Sequence, residues 1–206
     1  MPRPRVLRVF RLVHPFPSIL DGGVVGLVAL VAGGSVLRSL LLGVSMTLLQ
    51  FAIGTLNDIV DAPRDAGSKP GKPLVEGVVS LGVARLVLGL TAAGGLSLGL
   101  LAGPGLLAIG IVVLAIGTAY DLWAKGTRLS WLPLAVGIPL LPVYGWFGAT
   151  GDLPAAFLVI VPAAAIAGAA LAIANATVDV ERDEAAGSSS IALALGPARA
   201  SALALG

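Results

Sequence analysis

The chain has 206 residues, 57% of them hydrophobic and 12% charged, with a mean hydropathy of +0.99. A soluble domain carries about 25% charged residues, so these values exclude an ordinary aqueous globule and make the bilayer the expected solvent. The net charge of +2, from 13 basic and 11 acidic side chains, is too small to mark a nucleic-acid partner, and a chain with no cysteine and one histidine has no disulfide framework and little means of holding zinc.

Arg3, Arg5, Arg8 and Arg11 precede an apolar segment that opens at Ile19. No A-x-A site closes that segment and more apolar runs follow, so it reads as a basic interfacial stretch leading into a first membrane helix rather than as a signal peptide. His14, in "HPFPS", reads as an interfacial residue near the headgroups, and Asp21 as a charge near the start of the first span. A bilayer core of about 30 Å needs roughly 20 apolar residues per helix. Spans are predicted near 19–37, 39–57, 78–101, 105–121, 131–149 and 154–175, and a seventh opens near Ile191 and is cut at Gly206. Gly103-Pro104-Gly105 and the run from Gly151 to Pro154 supply the breaks. Arg85, near one end of the third span, either snorkels or faces a polar cavity. Trp123, Trp131 and Trp146 read as interfacial aromatics. The fold class is therefore all-α: a polytopic transmembrane helix bundle of about six complete spans plus the start of a seventh, forming a single domain over residues 1–206.

Charge gives an independent check on the span count. With these spans, Arg3, Arg5, Arg8, Arg11, Arg64, Lys69, Lys72, Lys125, Arg128 and Arg182 all fall on one side of the membrane, and Arg38 alone on the other. The positive-inside rule makes the first side cytoplasmic, in a bacterial or archaeal cell membrane.

On that side the polar residues are patterned. Asn57, Asp61 and Asp65 are spaced i, i+4, i+8 and project along one face of a helix, with Asp58 beside them; Asn175, Asp179 and Asp183 repeat the spacing. Carboxylates stacked at i, i+4 repel one another, so a cation should compensate. Mg²⁺ is the hard cation that takes a few carboxylate oxygens and bridges to substrate phosphates, so two such ladders facing each other across a bundle would hold Mg²⁺ around a diphosphate. Lys69, Lys72 and Lys125 lie on the same side and would stabilise the charge of a departing diphosphate, with Tyr120 at the same depth.

These motifs resemble those of the membrane-embedded UbiA-type prenyltransferases, with 4-hydroxybenzoate polyprenyltransferases as the nearest kind. "NDIVDAPRD" is similar to the family's N-D-x-x-D-x-x-x-D, "DVERD" after Asn175 to its second D-x-x-x-D, "SKPGKPL" to its K-x-x-[RK]-P-[LI], and "YDLWAK" to its Y-x-x-x-K. The resemblance implies Mg²⁺-dependent transfer of a prenyl group from a prenyl diphosphate to a small-molecule acceptor, an aromatic ring of the kind used in quinone biosynthesis being the commonest. It implies metal ligation by Asp58, Asp61, Asp65, Asp179 and Asp183, with Asn57 and Asn175 as diphosphate or outer-sphere residues. Lys69, Lys72 and Lys125 match diphosphate-contacting positions, and Tyr120 matches the third motif's tyrosine. Lys72 stands where the family commonly has Arg, a point charge in place of a planar fork. "GSSSIA" lacks the basic residue and Thr often found after the second motif, and Gly126 follows Lys125 where a second basic residue is frequent. Family members usually have nine spans, so further helices are expected beyond Gly206.

Two other classes share some of these features. A small-molecule transporter, or a non-catalytic membrane protein with a cation-binding carboxylate cluster, also places acids at helix ends, but a transporter's binding residues belong near the membrane midplane. A CDP-alcohol phosphatidyltransferase uses Asp ladders with Mg²⁺, but its D-G-x-x-A-R motif is absent.

Overall fold

The apolar runs fold as helices, the state in which each backbone polar group finds its partner within its own segment. The computed structural model describes residues 9–66, 71–178, 180, 191–196, 200 and 202, and among them the regular elements are helical. A 3-10 turn at Arg11–Val13 leads into α1 (Pro15–Val31) and α2 (Val36–Asp65). These are followed by α3 (Leu81–Ala102), α4 (Pro104–Ala119, continued as a π turn Tyr120–Ala124), α5 (Leu132–Gly137), α6 (Leu140–Thr150), α7 (Phe157–Val178) and α8 (Ile191–Leu195).

The Val36–Asp65, Leu81–Ala102, Pro104–Ala124, Leu132–Thr150 and Phe157–Val178 segments are long and apolar enough to cross a membrane, and Pro15–Val31 is a shorter apolar helix. Among the described residues, five such spans and one shorter helix thus stand where six complete spans were expected. Their apolar side chains are widely exposed, Leu37 at 78% and Leu158 at 80%, a state that lipid tolerates and water does not. α2 continues eight residues past the span limit expected at 57, so the first acidic motif is helical throughout, as its i, i+4, i+8 spacing implied. Pro63 sits inside its last turn; lacking an N–H, it leaves the Ile59 carbonyl without the usual helical donor.

The chain divides into two compact units, Met1–Leu114 with Tyr144–Asp152, and Ala115–Val143 with Leu153–Gly206. In the first, α1 and α2 cross through small residues. Gly22 and Gly26 of α1 meet Ser39 and Gly43 of α2, and a Cβ on Gly22 would strike the Thr47 side chain and the Gly43 carbonyl. This is the small-x3-small packing that replaces hydrophobic drive between helices in lipid. Farther along α2, the Ser45 hydroxyl donates to the Gly95 carbonyl at 2.8 Å and so must accept from the Tyr144 hydroxyl, 2.7 Å away. At one end, Arg38 donates to the carbonyls of Ala102 and Gly148. Both lie at helix C-termini, where a cation meets unpaired carbonyls and the negative end of the helix dipole. Arg38 therefore has a structural job. Arg85, in the second turn of α3, is exposed.

In the second unit α7 packs on α5, with Gly168 against the backbone of Leu134 and Ala135, and α8 also lies on α7. Gly137 and Pro139 fall at the break between α5 and α6. Gly22→Val should lower the unfolding midpoint of the purified protein in detergent, at a cost of about 1–3 kcal/mol for overpacking. A melting curve matching the wild type would contradict the α1–α2 contact.

Candidate active site

The polar end of the first unit is assembled by an apolar cluster. Leu12 of the 3-10 turn, Val79 and Ala84 are buried together, with Ile59, Leu74, Val78 and Val87 packed around them. The cluster ties three separate pieces of chain to the end of α2: the turn before α1, the 71–79 loop and the start of α3. Leu12 stands two residues before His14, Leu74 two after Lys72, and Ile59 next to Asp58, so packing of the apolar side chains fixes the polar ones. The loop is reinforced from within, the Glu76 and Val78 amides donating to the Lys72 and Pro73 carbonyls at 3.0 and 2.9 Å. It opens on Gly71, whose φ of 96° is open to glycine at little cost. The Arg11 guanidinium lies so close that a Cβ there would come within 2.8 Å of Nη1.

At the centre of this end lies one ammonium among three carboxylates. Lys72 Nζ is 2.9 Å from Asp58 Oδ1, 3.6 Å from Asp61 Oδ2 and 2.6 Å from Asp65 Oδ2. The three acids are 2–4% exposed. Their spacing, i, i+3, i+7, places them on one face of α2. The face differs slightly from the expected one: Asp58, rather than Asn57, starts the stripe, and Asn57 is half-buried beside it. Burial works to lower the Lys72 pKa, but hydrogen bonds to Asp65 and Asp58 outweigh it and hold the ammonium above the ordinary lysine value. The stability gained is complete below the unfolded lysine's pKa and is lost only as pH rises through the higher, folded value.

Two residues that the sequence motifs did not single out as site residues also lie here. His14, read from sequence as interfacial, hydrogen-bonds Asp58 Oδ1 through Nε2 at 3.0 Å. Arg11, read as part of a basic interfacial stretch, lines with His14, Asp58, Lys72 and Gly71 a cavity of about 240 Å³. The usable signal was sequence proximity: both stand in "RLVHP", just before the first span.

Chemically, three carboxylates offer the oxygen donors that hard cations take. Among the described residues, no three His, Asp or Glu side chains close into a ready-made metal cage; the acids are gathered around Lys72 instead.

The remaining expected site residues belong to the second unit or lie outside the described residues. Tyr120 opens and Lys125 follows the π turn, a backbone irregularity frequent at functional sites. The Lys125 amide donates to the Tyr120 carbonyl at 2.9 Å, and its ammonium lies 5.9 Å from the centre of the tyrosine ring. Asp121 between them, which the motif reading passed over, is buried. Asn175 is exposed on α7. Lys69, Asp179 and Asp183 fall outside the described residues.

Comparison with known proteins bears on the family and the fold. The sequence model of the UbiA prenyltransferase family matches residues 22–206. In fold, the chain is similar to the apo structure of a UbiA homolog from Aeropyrum pernix K1, with a TM-score of 0.77 and 23% identity, covering 93% of this chain and 74% of that one. It is similar to a UbiA homolog from Archaeoglobus fulgidus bound to GPP and Mg²⁺, with a TM-score of 0.81 and 21% identity over 95% and 72% of the two chains. A structure of digeranylgeranylglyceryl phosphate synthase is also similar, at a TM-score of 0.78 and 19% identity over 97% and 72%. At these identities the likeness is one of fold. No curated protein matches the chain by sequence.

Lys72→Met would leave three buried carboxylates without their shared cation. Removing one partner of a buried ion pair costs about 3 kcal/mol or more, so the thermal midpoint should fall by several degrees in low-salt, metal-free detergent buffer. An unchanged midpoint would show that the ammonium contributes nothing there.

Proposed function

The chain belongs to the UbiA prenyltransferase family, and from that premise we propose that it transfers a prenyl group from a prenyl diphosphate to an aromatic acceptor at the cytoplasmic side of the membrane, with Mg²⁺ as cofactor. Residues 1–206 serve as a single transmembrane prenyltransferase domain, a reading supported by one family match that runs through both compact units. The observation that carries the proposal is the buried Asp58, Asp61, Asp65 stripe gathered around the Lys72 ammonium.

That donor set fits a hard divalent ion. It is made of carboxylate oxygens, and it already collects one compact cation. Asp58, Asp61 and Asp65 would hold Mg²⁺, and Asp179 and Asp183 of the repeated motif would supply the same chemistry. Bound there, Mg²⁺ would supply positive charge that offsets the charge of the leaving diphosphate.

The chain's own residues do the rest. Lys72 and Arg11, both on the wall of the 240 Å³ cavity, would hold the diphosphate oxygens, with Lys69 and Lys125 as further cations and Asn57 and Asn175 as hydrogen-bonding partners. Cations aimed at those oxygens act on charge that develops in the transition state, where stabilisation accelerates the reaction. Tyr120, held at a π turn, would lie near the allylic carbocation or the acceptor. The apolar helices would receive the isoprenoid tail and keep water from the cation. The A. fulgidus homolog bound to GPP and Mg²⁺ supports the same substrate class here.

Asp61→Ala and Asp179→Ala should each abolish Mg²⁺-dependent transfer while leaving the protein inserted and folded. The assay incubates purified protein with prenyl diphosphates of several lengths, with or without Mg²⁺. Its acceptor panel includes 4-hydroxybenzoate, a naphthoate and a glyceryl phosphate, and products are read by mass spectrometry. Full activity in either variant would remove the metal assignment, and product from the glyceryl phosphate alone would replace the aromatic acceptor.

A further inference from the structure

Before α1 begins, the chain turns through His14 with φ 49° and ψ 60°, the left-handed region that non-glycine residues seldom occupy. His14 is the one non-glycine residue with positive φ among those described. Such a conformation persists where the surroundings fix it, and here three contacts do so. Leu12, two residues earlier, is locked into the cluster with Ile59. The Ser18 hydroxyl reaches back to the carbonyls of Val13 and His14, at 3.1 and 2.9 Å. Gly54 on α2, one helical turn before Asp58, leaves room for the imidazole, since a Cβ there would sit 3.1 Å from His14 Cβ and 3.2 Å from Cδ2.

All three act to hold the ring over Asp58, with Nε2 at 3.0 Å from Oδ1. A carboxylate only accepts, so the imidazole carries its proton on Nε2 and donates. The same Oδ1 also receives Lys72. A lysine ammonium on a flexible stem exchanges partners readily, whereas the imidazole is fixed by its backbone.

We propose that His14 is a positioning residue for the cation site: its Nε2–H holds the Asp58 carboxylate in aim when Lys72 leaves the acids for the diphosphate. The proposal rests on reading Asp58, Asp61 and Asp65 as metal ligands. It concerns the outer partner of a ligand, a class of contact whose loss weakens metal affinity by about 10–100-fold.

The test separates the ring's hydrogen bond from its unusual backbone. His14→Asn keeps a residue that tolerates the left-handed region, but its amide is too short to reach Asp58. His14→Gln places an N–H donor near the position of Nε2 on a backbone less suited to that conformation. Full-length protein in detergent is titrated with Mn²⁺ alone, followed by electron paramagnetic resonance, for the wild type, both variants and Asp61→Ala. Thermal melting is recorded alongside.

His14→Asn should bind Mn²⁺ about 10–100-fold more weakly than the wild type, and His14→Gln within a few-fold of it. In turnover assays His14→Asn should raise the metal concentration for half-maximal rate and leave the rate at saturating metal within a few-fold. Wild-type affinity in a folded His14→Asn, or affinity lost in His14→Gln and kept in His14→Asn, overturns the proposal and leaves the metal site standing. Wild-type protein that binds no Mn²⁺, or Asp61→Ala that binds as the wild type does, overturns the metal reading of the acids and this inference with it.

Discussion

Three carboxylates buried on one face of a helix repel one another, and the structure around them follows from the need to offset that repulsion. Lys72 supplies a cation, 2.9 Å from Asp58 and 2.6 Å from Asp65. Charges withdrawn from water are tolerated only when paired with good geometry, and that geometry depends on apolar packing. The Leu12, Ile59, Leu74, Val79 and Ala84 cluster presses the loop that bears Lys72 and the turn that bears His14 against the end of α2. Hydrocarbon thus orders the chain, and the ordered chain makes it possible to bury the acids.

The same division of labour extends through the first unit. Small residues, Gly22 and Gly26 against Ser39 and Gly43, set how closely α1 and α2 approach, and so where the turn before α1 meets α2. At the other end Arg38 closes the carbonyls of Ala102 and Gly148. A helix with its core crossing and its far end fixed can carry an electrostatically unfavourable stripe near its terminus. That stripe is suited to chemistry because its carboxylate oxygens, gathered on one helix face, are the donors that a hard divalent ion takes.

Much of this was legible from residue order. Composition demanded membrane helices, and the span limits near 101, 121, 149 and 175 lie within three residues of the ends of Leu81–Ala102, Pro104–Ala124, Leu132–Thr150 and Phe157–Val178. The acidic motif and the lysines after it stood out because charge is costly in an apolar chain. Less legible was the limit of the second span: α2 runs on to Asp65, past 57, although the spacing of the acids already placed them on one helix face. Pro63 is admitted because its missing N–H costs a single hydrogen bond in the last turn. The acidic face was also blurred: Asn57, Asp61, Asp65 and Asp58, Asp61, Asp65 are both acceptable helical stripes.

The sequence by itself therefore determined the solvent, the helical class and the family, because hydropathy, charge asymmetry and motif spacing are properties of the residue order alone. Tertiary structure decided which acids share a cation and what stands beside them. Asp58 belongs to the stripe because that side of α2 meets the 71–79 loop and the turn before α1. His14 and Arg11 belong to the site because chain segments distant in sequence are folded onto it. Neither contact can be read from spacing along the chain, since each depends on where Leu12 and Leu74 find apolar surface to bury.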